Sequence, residues 1–315
     1  MNPNRKKRFI AIGSSLFLLF FLIFYILRHA DEFRQLATIG LRHSPIMVLA
    51  TFLFVVLIGI NGFLFHILLI PFQLKLPMKE WCGLAMVNNF YNLITPFRGG
   101  MAVQALYLKQ SYQFAYTHFL AVHGALQFFT FFTATITVLM ALPFIGHDLG
   151  KAKVPLFLFF LTGLILQGLV LVFSPRLPIR EGKWYQRLAR INNGWIAIKG
   201  DKRRVIIVLL LNFLQRVLKA VFLMLTYYSI GIKIDFSGAL FISAVGIFSL
   251  LISVLPGNLG IDDVLNVFSA NLVGVPIHAA IAATLLGRMI NMVVSLSMGP
   301  LFSYVLLRKN PLPAR

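Results

Sequence analysis

Pro96-Phe97-Arg98-Gly99-Gly100 closes an apolar run, Trp81 to Thr95, and Pro256-Gly257-Asn258-Leu259-Gly260 breaks a second, Phe236 to Leu255. Crossing a hydrocarbon core of roughly 30 Å takes about 20 apolar residues, so the first run is too short to span. Proline lacks the amide hydrogen a helix needs, and glycine permits positive φ. The turn residues Pro96, Gly99, Gly100 and Pro256, Gly257, Gly260 therefore end one helix and reverse the chain toward the next. Backbone left unpaired at membrane depth is tolerated only where it is buried in protein or lines a watery cavity. The reading that follows is two re-entrant helical hairpins, 81–116 and 236–274. For the second a full crossing is the rival, because 236–255 is just long enough.

Outward from these turns the chain is mostly apolar. It has 315 residues, 59% hydrophobic and 12% charged, with mean hydropathy +0.85. A soluble domain of this size has no core large enough to hide so much apolar surface, whereas lipid accepts it. Runs long enough to span lie near 9–27, 45–70, 117–145, 154–173, 205–230 and 276–307. The run 9–27 follows Arg5-Lys6-Lys7-Arg8 and ends at Arg28-His29-Ala30 without a small residue at the −3 position, so a retained first span is expected rather than a cleaved signal peptide. The predicted fold is an all-α integral membrane protein of about six full transmembrane helices plus the two hairpins. It forms one polytopic domain over 1–315, with a first half 9–145, a basic loop 174–204 and a second half 205–307. The single cysteine, Cys82, allows no intrachain disulfide and no cysteine-based metal motif.

The net charge of +20 raises the question of nucleic acid, but the basic residues sit between apolar runs rather than along one polar face. That is the pattern of membrane topology signals, with anionic headgroups as counter-charge. The N-terminal segment, the 174–204 loop and the tail with Arg308, Lys309 and Arg315 are strongly basic. The 28–44, 146–153 and 231–235 loops are nearly neutral. Six spans and two hairpins that return to their own side put every strongly basic segment on one face, which the positive-inside rule makes cytoplasmic, termini included. The first hairpin then enters from the cytoplasm and the second from outside. The halves also share spacing: glycine follows proline by four (Pro96 to Gly100, Pro256 to Gly260), and Gln127 and Arg288 sit in the next long span at similar offsets. Inverted repeats with broken helices are the architecture of secondary transporters.

Ionisable groups inside spans are costly and mark function by default. Arg216 and Lys219 fall three apart on one helix, Arg288 lies within 276–307, Arg98 is at the first tip, and Asp262 and Asp263 follow the second. One reading is a cationic cavity in which these groups bind a phosphate through bidentate hydrogen bonds, helped by the helix N-termini after the tips. The other pairs Arg288 or Arg216 with Asp262 or Asp263 as internal salt bridges. Asn88, Asn89 and Asn92 need partners in a membrane and are expected to stitch the first hairpin to its neighbours or to touch substrate. His123 and Gln127 share a face, as a proton relay or a hydrogen-bonded structural pair. In the basic loop, Trp184, Leu188, Ile191, Trp195 and Ile198 step along one helical face, with Asn192-Asn193-Gly194 interrupting it. An interfacial helix and a solvated loop both fit. No zinc motif, phosphate loop or nucleophile elbow is present, so neither enzyme activity nor a metal or other cofactor is expected.

The stretch Asn92-Leu93-Ile94-Thr95-Pro96-Phe97-Arg98-Gly99-Gly100 with Gln104 to Lys109, and Leu255 to Asp263 with Leu285-Leu286-Gly287-Arg288, resembles two blocks of the lysylphosphatidylglycerol synthase transmembrane-region family. The likeness covers about residues 45 to 307. It implies lipid translocation in a prokaryotic cytoplasmic membrane, as in the flippase half of the multiple peptide resistance factor, with Arg98, Gly100, Asp262 or Asp263, and Arg288 at motif positions. The chain departs from the pattern at Met101 and Gln104, where a glutamate and an arginine are usual. It departs again at the His123–Gln127 region, where an acidic–basic pair is usual, and after the second tip, where Asp replaces Glu. No soluble aminoacyl-transferase domain is present in these residues, so lipid aminoacylation is not expected of them.

The function expected is that of a flippase-like carrier of an anionic phospholipid or polyprenyl-phosphate-linked lipid. Arg98, Arg216, Lys219 and Arg288 would hold the headgroup, and Asp262 and Asp263 would orient those cations. The rivals are a non-transporting scaffold that recruits cell-envelope biosynthesis enzymes through 174–204, and an integral-membrane transferase acting on a lipid-linked sugar. A cavity lined by unpaired cations favours the carrier, a fully paired interior the scaffold, and an acidic pair beside an external cavity the transferase.

Overall fold

The computed structural model describes residues 44–95, 98–145, 150, 152–175, 182–252, 256–258 and 260–309. The expected first span 9–27, the turn residue Pro96 and the extreme C-terminal tail lie outside these. Every regular element among the described residues is helical. In chain order the α-helices are α1 Ser44–Leu69, α2 Met78–Ile94, α3 Gly99–Tyr112, α4 Tyr116–Ala141, α5 Lys153–Val172, α6 Lys183–Gly200, α7 Lys202–Ser229, α8 Phe236–Val245, α9 Ile261–Leu272 and α10 Ile277–Lys309. Five segments are long and apolar enough to cross a bilayer: Pro45–Phe72, Tyr116–Phe144, Lys153–Val172, Lys202–Ser229 and Ile277–Leu306. They coincide with the runs read from the sequence because each lacks an interior break strong enough to end a helix. Pro300 sits inside α10 without ending it, as transmembrane helices allow when neighbours satisfy the freed carbonyl.

The two interrupted regions form antiparallel helix pairs. In the first, the Tyr112 hydroxyl bonds to the Glu80 carboxylate, Gln104 Nε2 donates to the Leu84 carbonyl at 3.1 Å, and the Gly100 amide donates to Asn92 Oδ1 at 3.0 Å. As one member of each pair climbs the sequence the other descends. Gly100 is required here, since a Cβ would run into the Asn88 carbonyl of the facing helix. In the second region α8 continues as a 3-10 segment, Gly246–Ile252, and the chain reverses around Pro256–Asn258. Gly257 and Gly260 take φ of 60° and 83°, left-handed backbone that glycine adopts without steric cost. Ser249 Oγ then donates to Asp262 Oδ1 at 3.0 Å, tying the 3-10 segment to the first turn of α9. At 1.5 Å per residue α2 and α3 are about 25 and 21 Å long and α9 about 18 Å, each short of a full crossing. The tips meet, with Gly257 packed on Leu93 at the end of α2.

Packing assigns the loops to two ends of the bundle. One end gathers Phe72 against Phe114 and His118, Gly194 against Phe72 and Ala121, and Leu306 against Gly83. The other gathers Phe144, Ile145, Gly231–Ser237 and Val273–Pro276 around one shallow pocket. Lys75, Lys79, Lys109, Lys183, Arg187, Arg190, Lys199, Lys202, Arg203 and Arg204 belong to the first end, against Glu80 and Asp201. The second carries Lys153 and Lys233 against Asp235.

One expectation is corrected. Asn192-Asn193-Gly194 does not interrupt the basic loop's helix, because α6 runs unbroken through it. Gly194 is the contact point rather than a break: a Cβ there would lie 2.6 Å from Ala121 Cβ, so its bare backbone lets α6 press onto α4. Asn192 Nδ2 caps the Pro175 carbonyl at 2.9 Å. Of the apolar stripe, Ile198 is buried and Trp195 packs on Phe128 and Phe129, while Trp184 and Leu188 stay exposed.

Candidate functional site

Along the three long helices at the centre, apolar packing is interrupted at mid-depth. On α7, Val208 belongs to one apolar core and Ala220 to another, with Asn212, Gln215 and Arg216 between them. On α1 the two cores hold Ile58 and Leu64, and Asn61 and Gly62 lie between. On α4 they hold Phe129 and Ala134, and His123, Gln127 and Thr130 lie at or below that junction. Of these, Ile58, Asn61, Gly62, His123, Gln127, Thr130 and Arg216 line a cavity of about 280 Å³, whose other walls come from the first hairpin (Ala85, Asn88, Asn89, Asn92, Arg98, Gln104) and from Ile247 and Leu250 of the second.

Arg216 is only 4% exposed. Its Nη2 donates to Gln215 Oε1 at 3.0 Å, and Gln215 Nε2 in turn donates to the Leu57 carbonyl at 3.2 Å, which anchors α7 to α1. Arg216 Nε has no hydrogen-bond partner, and no carboxylate pairs with this guanidinium among the described residues. Arg98 precedes α3 with φ 55° and ψ 52°, a left-handed conformation that costs a non-glycine residue of order 1–2 kcal/mol. Its side chain lines the cavity, where it too is without a carboxylate partner among the described residues. Among the described residues, no acid lines the cavity. His123, 6% exposed, shares a proton with Gln104 Oε1 at 3.1 Å. Because Gln104 donates its own amide to Leu84, the oxygen faces His123, so Nε2 is the protonated nitrogen. Its Nδ1, Asn88 Oδ1 and Gln127 Oε1 have no donors.

The other two predicted cations are elsewhere. Lys219, one turn beyond Arg216, and Arg288 line a smaller cavity of about 90 Å³ with Asp262, Gly257, Asn266, Thr284 and Asn291. Arg288 forms a two-point ion pair with Asp263, Nε to Oδ1 at 2.5 Å and Nη2 to Oδ2 at 2.7 Å. Lys219 Nζ sits 4.3 Å from the Phe222 ring. Arg288 is thus paired with Asp263, whereas Arg98 and Arg216 line the larger cavity with no carboxylate partner among the described residues. At the two helix N-termini after the tips, Asp263 accepts from the Gly260 amide at 3.0 Å and Asn92 from that of Gly100, so one amide at each end is satisfied from within the chain.

Of the asparagines, Asn89 Nδ2 donates to Asn291 Oδ1 at 2.9 Å and Ser295 Oγ at 2.7 Å, stitching α2 to α10. Asn89 lines the large cavity and Asn291 the small one, so this bond joins the walls of both. Asn61, Gln215, Asn266 and Asn291 were missed in the sequence. Each is an amide inside an otherwise apolar helix, the same signal that singled out Asn88 and Gln127.

The sequence matches the model of the lysylphosphatidylglycerol synthase TM region over residues 8–299. The chain belongs to that family. A comparison with curated proteins finds no match. Membership agrees with the helices and places this protein among membrane-embedded proteins associated with lipids. Within the lysylphosphatidylglycerol synthase TM region, the matched span contains both hairpins and both cavities.

Proposed function

We propose that this member of the family binds the anionic headgroup of a lipid between its two helix pairs and carries it across the bilayer. The observation that carries the reading is Arg98 and Arg216 lining one mid-depth polar cavity that, among the described residues, contains no acid. A guanidinium withdrawn from water needs a counter-charge, and one left unpaired costs several kcal/mol. A phosphate supplies that charge with oxygens matched to the guanidinium fork. Lys219, Arg288, Asp262 and Asp263 form the neighbouring balanced network, which holds the second helix pair and receives the headgroup only if their internal pairs open.

In this reading α2–α3 and α8–α9 are re-entrant. The lengths of α2, α3 and α9 fall short of a crossing, the tips meet, and the open end of the first is basic (Lys75, Lys79, Lys109) while that of the second is balanced (Lys233, Asp235). The positive-inside rule then makes the basic end cytoplasmic, and the hairpins enter from opposite faces of a prokaryotic inner membrane as an inverted repeat. Movement of one half against the other exposes the cavity to each leaflet in turn. The reading is one of carriage rather than catalysis, and the unpaired arginines weigh against a scaffold with every charge paired.

The test is translocation of fluorescent anionic phospholipids, phosphatidic acid and phosphatidylglycerol, in proteoliposomes, read by quenching from one side. Arg216→Gln should slow it at least tenfold while the protein purifies and melts as before. Unchanged translocation in a folded Arg216→Gln protein removes the cavity from the mechanism.

A further inference from the structure

The large cavity also constrains what kind of anion it takes, an inference that rests on the lipid-carrier reading above. We infer that its ligand is a lipid ending in a phosphomonoester or diphosphate, without an amine, rather than a phosphodiester or an aminoacylated headgroup. The argument begins with charge. Arg98 and Arg216 bring two positive charges, and among the described residues every other lining side chain is neutral or apolar: Asn61, Asn88, Asn89, Asn92, Gln104, Gln127 and Thr130 supply only dipoles, and His123 is held by Gln104. The nearby acids are committed, Asp263 to Arg288 and Asp262 to Ser249 within the smaller cavity that also holds Lys219. Two guanidinium groups in low dielectric are neutralised by a ligand that carries two negative charges, and a monoanion leaves one of them uncompensated.

Oxygen count leads the same way. A phosphodiester has two free oxygens, enough for one guanidinium fork. A terminal phosphate has three strong acceptors and close to two charges at neutral pH, and a diphosphate has more of both. An ammonium on the headgroup meets the opposite situation, with two cations lining the cavity and no carboxylate to receive it. The Asn88 and Gln127 carbonyls, both without donors, are open to water or hydroxyls brought in with the phosphate.

The experiment measures binding of short-chain lipids to the full chain in detergent by native mass spectrometry. The probes are dihexanoyl phosphatidic acid, phosphatidylglycerol, lysylphosphatidylglycerol and inorganic phosphate. Phosphatidic acid should bind at least tenfold more tightly than phosphatidylglycerol, and lysylphosphatidylglycerol more weakly than either. R216Q should erase the preference, and R216K, which keeps the charge but loses the fork, should weaken binding while keeping the order. Equal binding of phosphatidic acid and phosphatidylglycerol, both lost in R216Q, overturns the charge count and leaves the carrier reading standing. Inorganic phosphate binding as tightly as phosphatidic acid overturns the lipid source. Binding of every lipid unchanged in R216Q overturns the carrier reading itself.

Discussion

Arg288 and Asp263 show how a charge pair inside a membrane protein is worth less than the damage done by breaking it. The pair is geometrically good, with the Arg288 side chain 10% and the Asp263 side chain 29% exposed. Taking either member away strands the other in a poorly solvated place. Asp263→Asn is expected to destabilise the protein by about 1–3 kcal/mol, below the full penalty for a buried pair because the carboxylate still sees some solvent. Asp263→Asn with Arg288→Gln should cost clearly less than the sum of the two single changes, as denaturation of all four proteins would show. Strict additivity would mean the pair is not coupled. At the first hairpin, Gly100→Ala should cost about 1–3 kcal/mol, because the added methyl meets the Asn88 carbonyl, a backbone atom with little freedom to yield. A melting temperature unchanged by this substitution would contradict the close approach of α2 and α3.

The helix pairs set a sharper test at the scale of elements. Lys79 and Gln110 lie at the open end of the first pair, Lys233 and Asn271 at that of the second, each beyond a helix end or in its first or last turn, and all exposed. With Cys82 replaced by serine, single cysteines at Lys79 and Gln110 should react with an impermeant thiol reagent from the cytoplasmic side only. Those at Lys233 and Asn271 should react from outside only. Labelling of Lys79 and Gln110 from opposite sides would show that α2 and α3 do not return to the face they leave. The sequence made these pairs legible because proline, glycine and run length act locally. It misjudged α6 for the same reason: Asn192-Asn193-Gly194 is a breaking sequence in isolation, and only the presence of Ala121 and Phe72 turns its missing side chain into a packing surface. Gly194→Leu should therefore detach α6 from α4, seen as faster proteolysis between Lys183 and Lys202 with the spanning helices intact.

For the whole molecule, the arrangement places a cationic space, without an acid among the described residues, between two apolar cores, and any ligand that binds only the folded protein there adds stability. At a hundredfold excess over its dissociation constant that gain is about 2.7 kcal/mol. Phosphatidic acid should accordingly raise the melting temperature of the native protein by several degrees and leave that of R98Q/R216Q where it was. An equal shift in both would place the lipid on the outer belt of the bundle.

The order of spans, the two broken segments and the concentration of basic charge at one end were set by the sequence alone, since each depends on neighbours along the chain: twenty apolar residues suffice for a span, one proline for a break. Which cation has a partner was decided only in three dimensions. Arg216 and Lys219 are three residues apart on α7, yet one faces amides and the other a carboxylate. The difference lies in what α2, α4, α9 and α10 bring to each side of that helix, and those helices are distant in the chain. Charge neutralisation is a property of the space around a group, and the linear order of residues does not contain it.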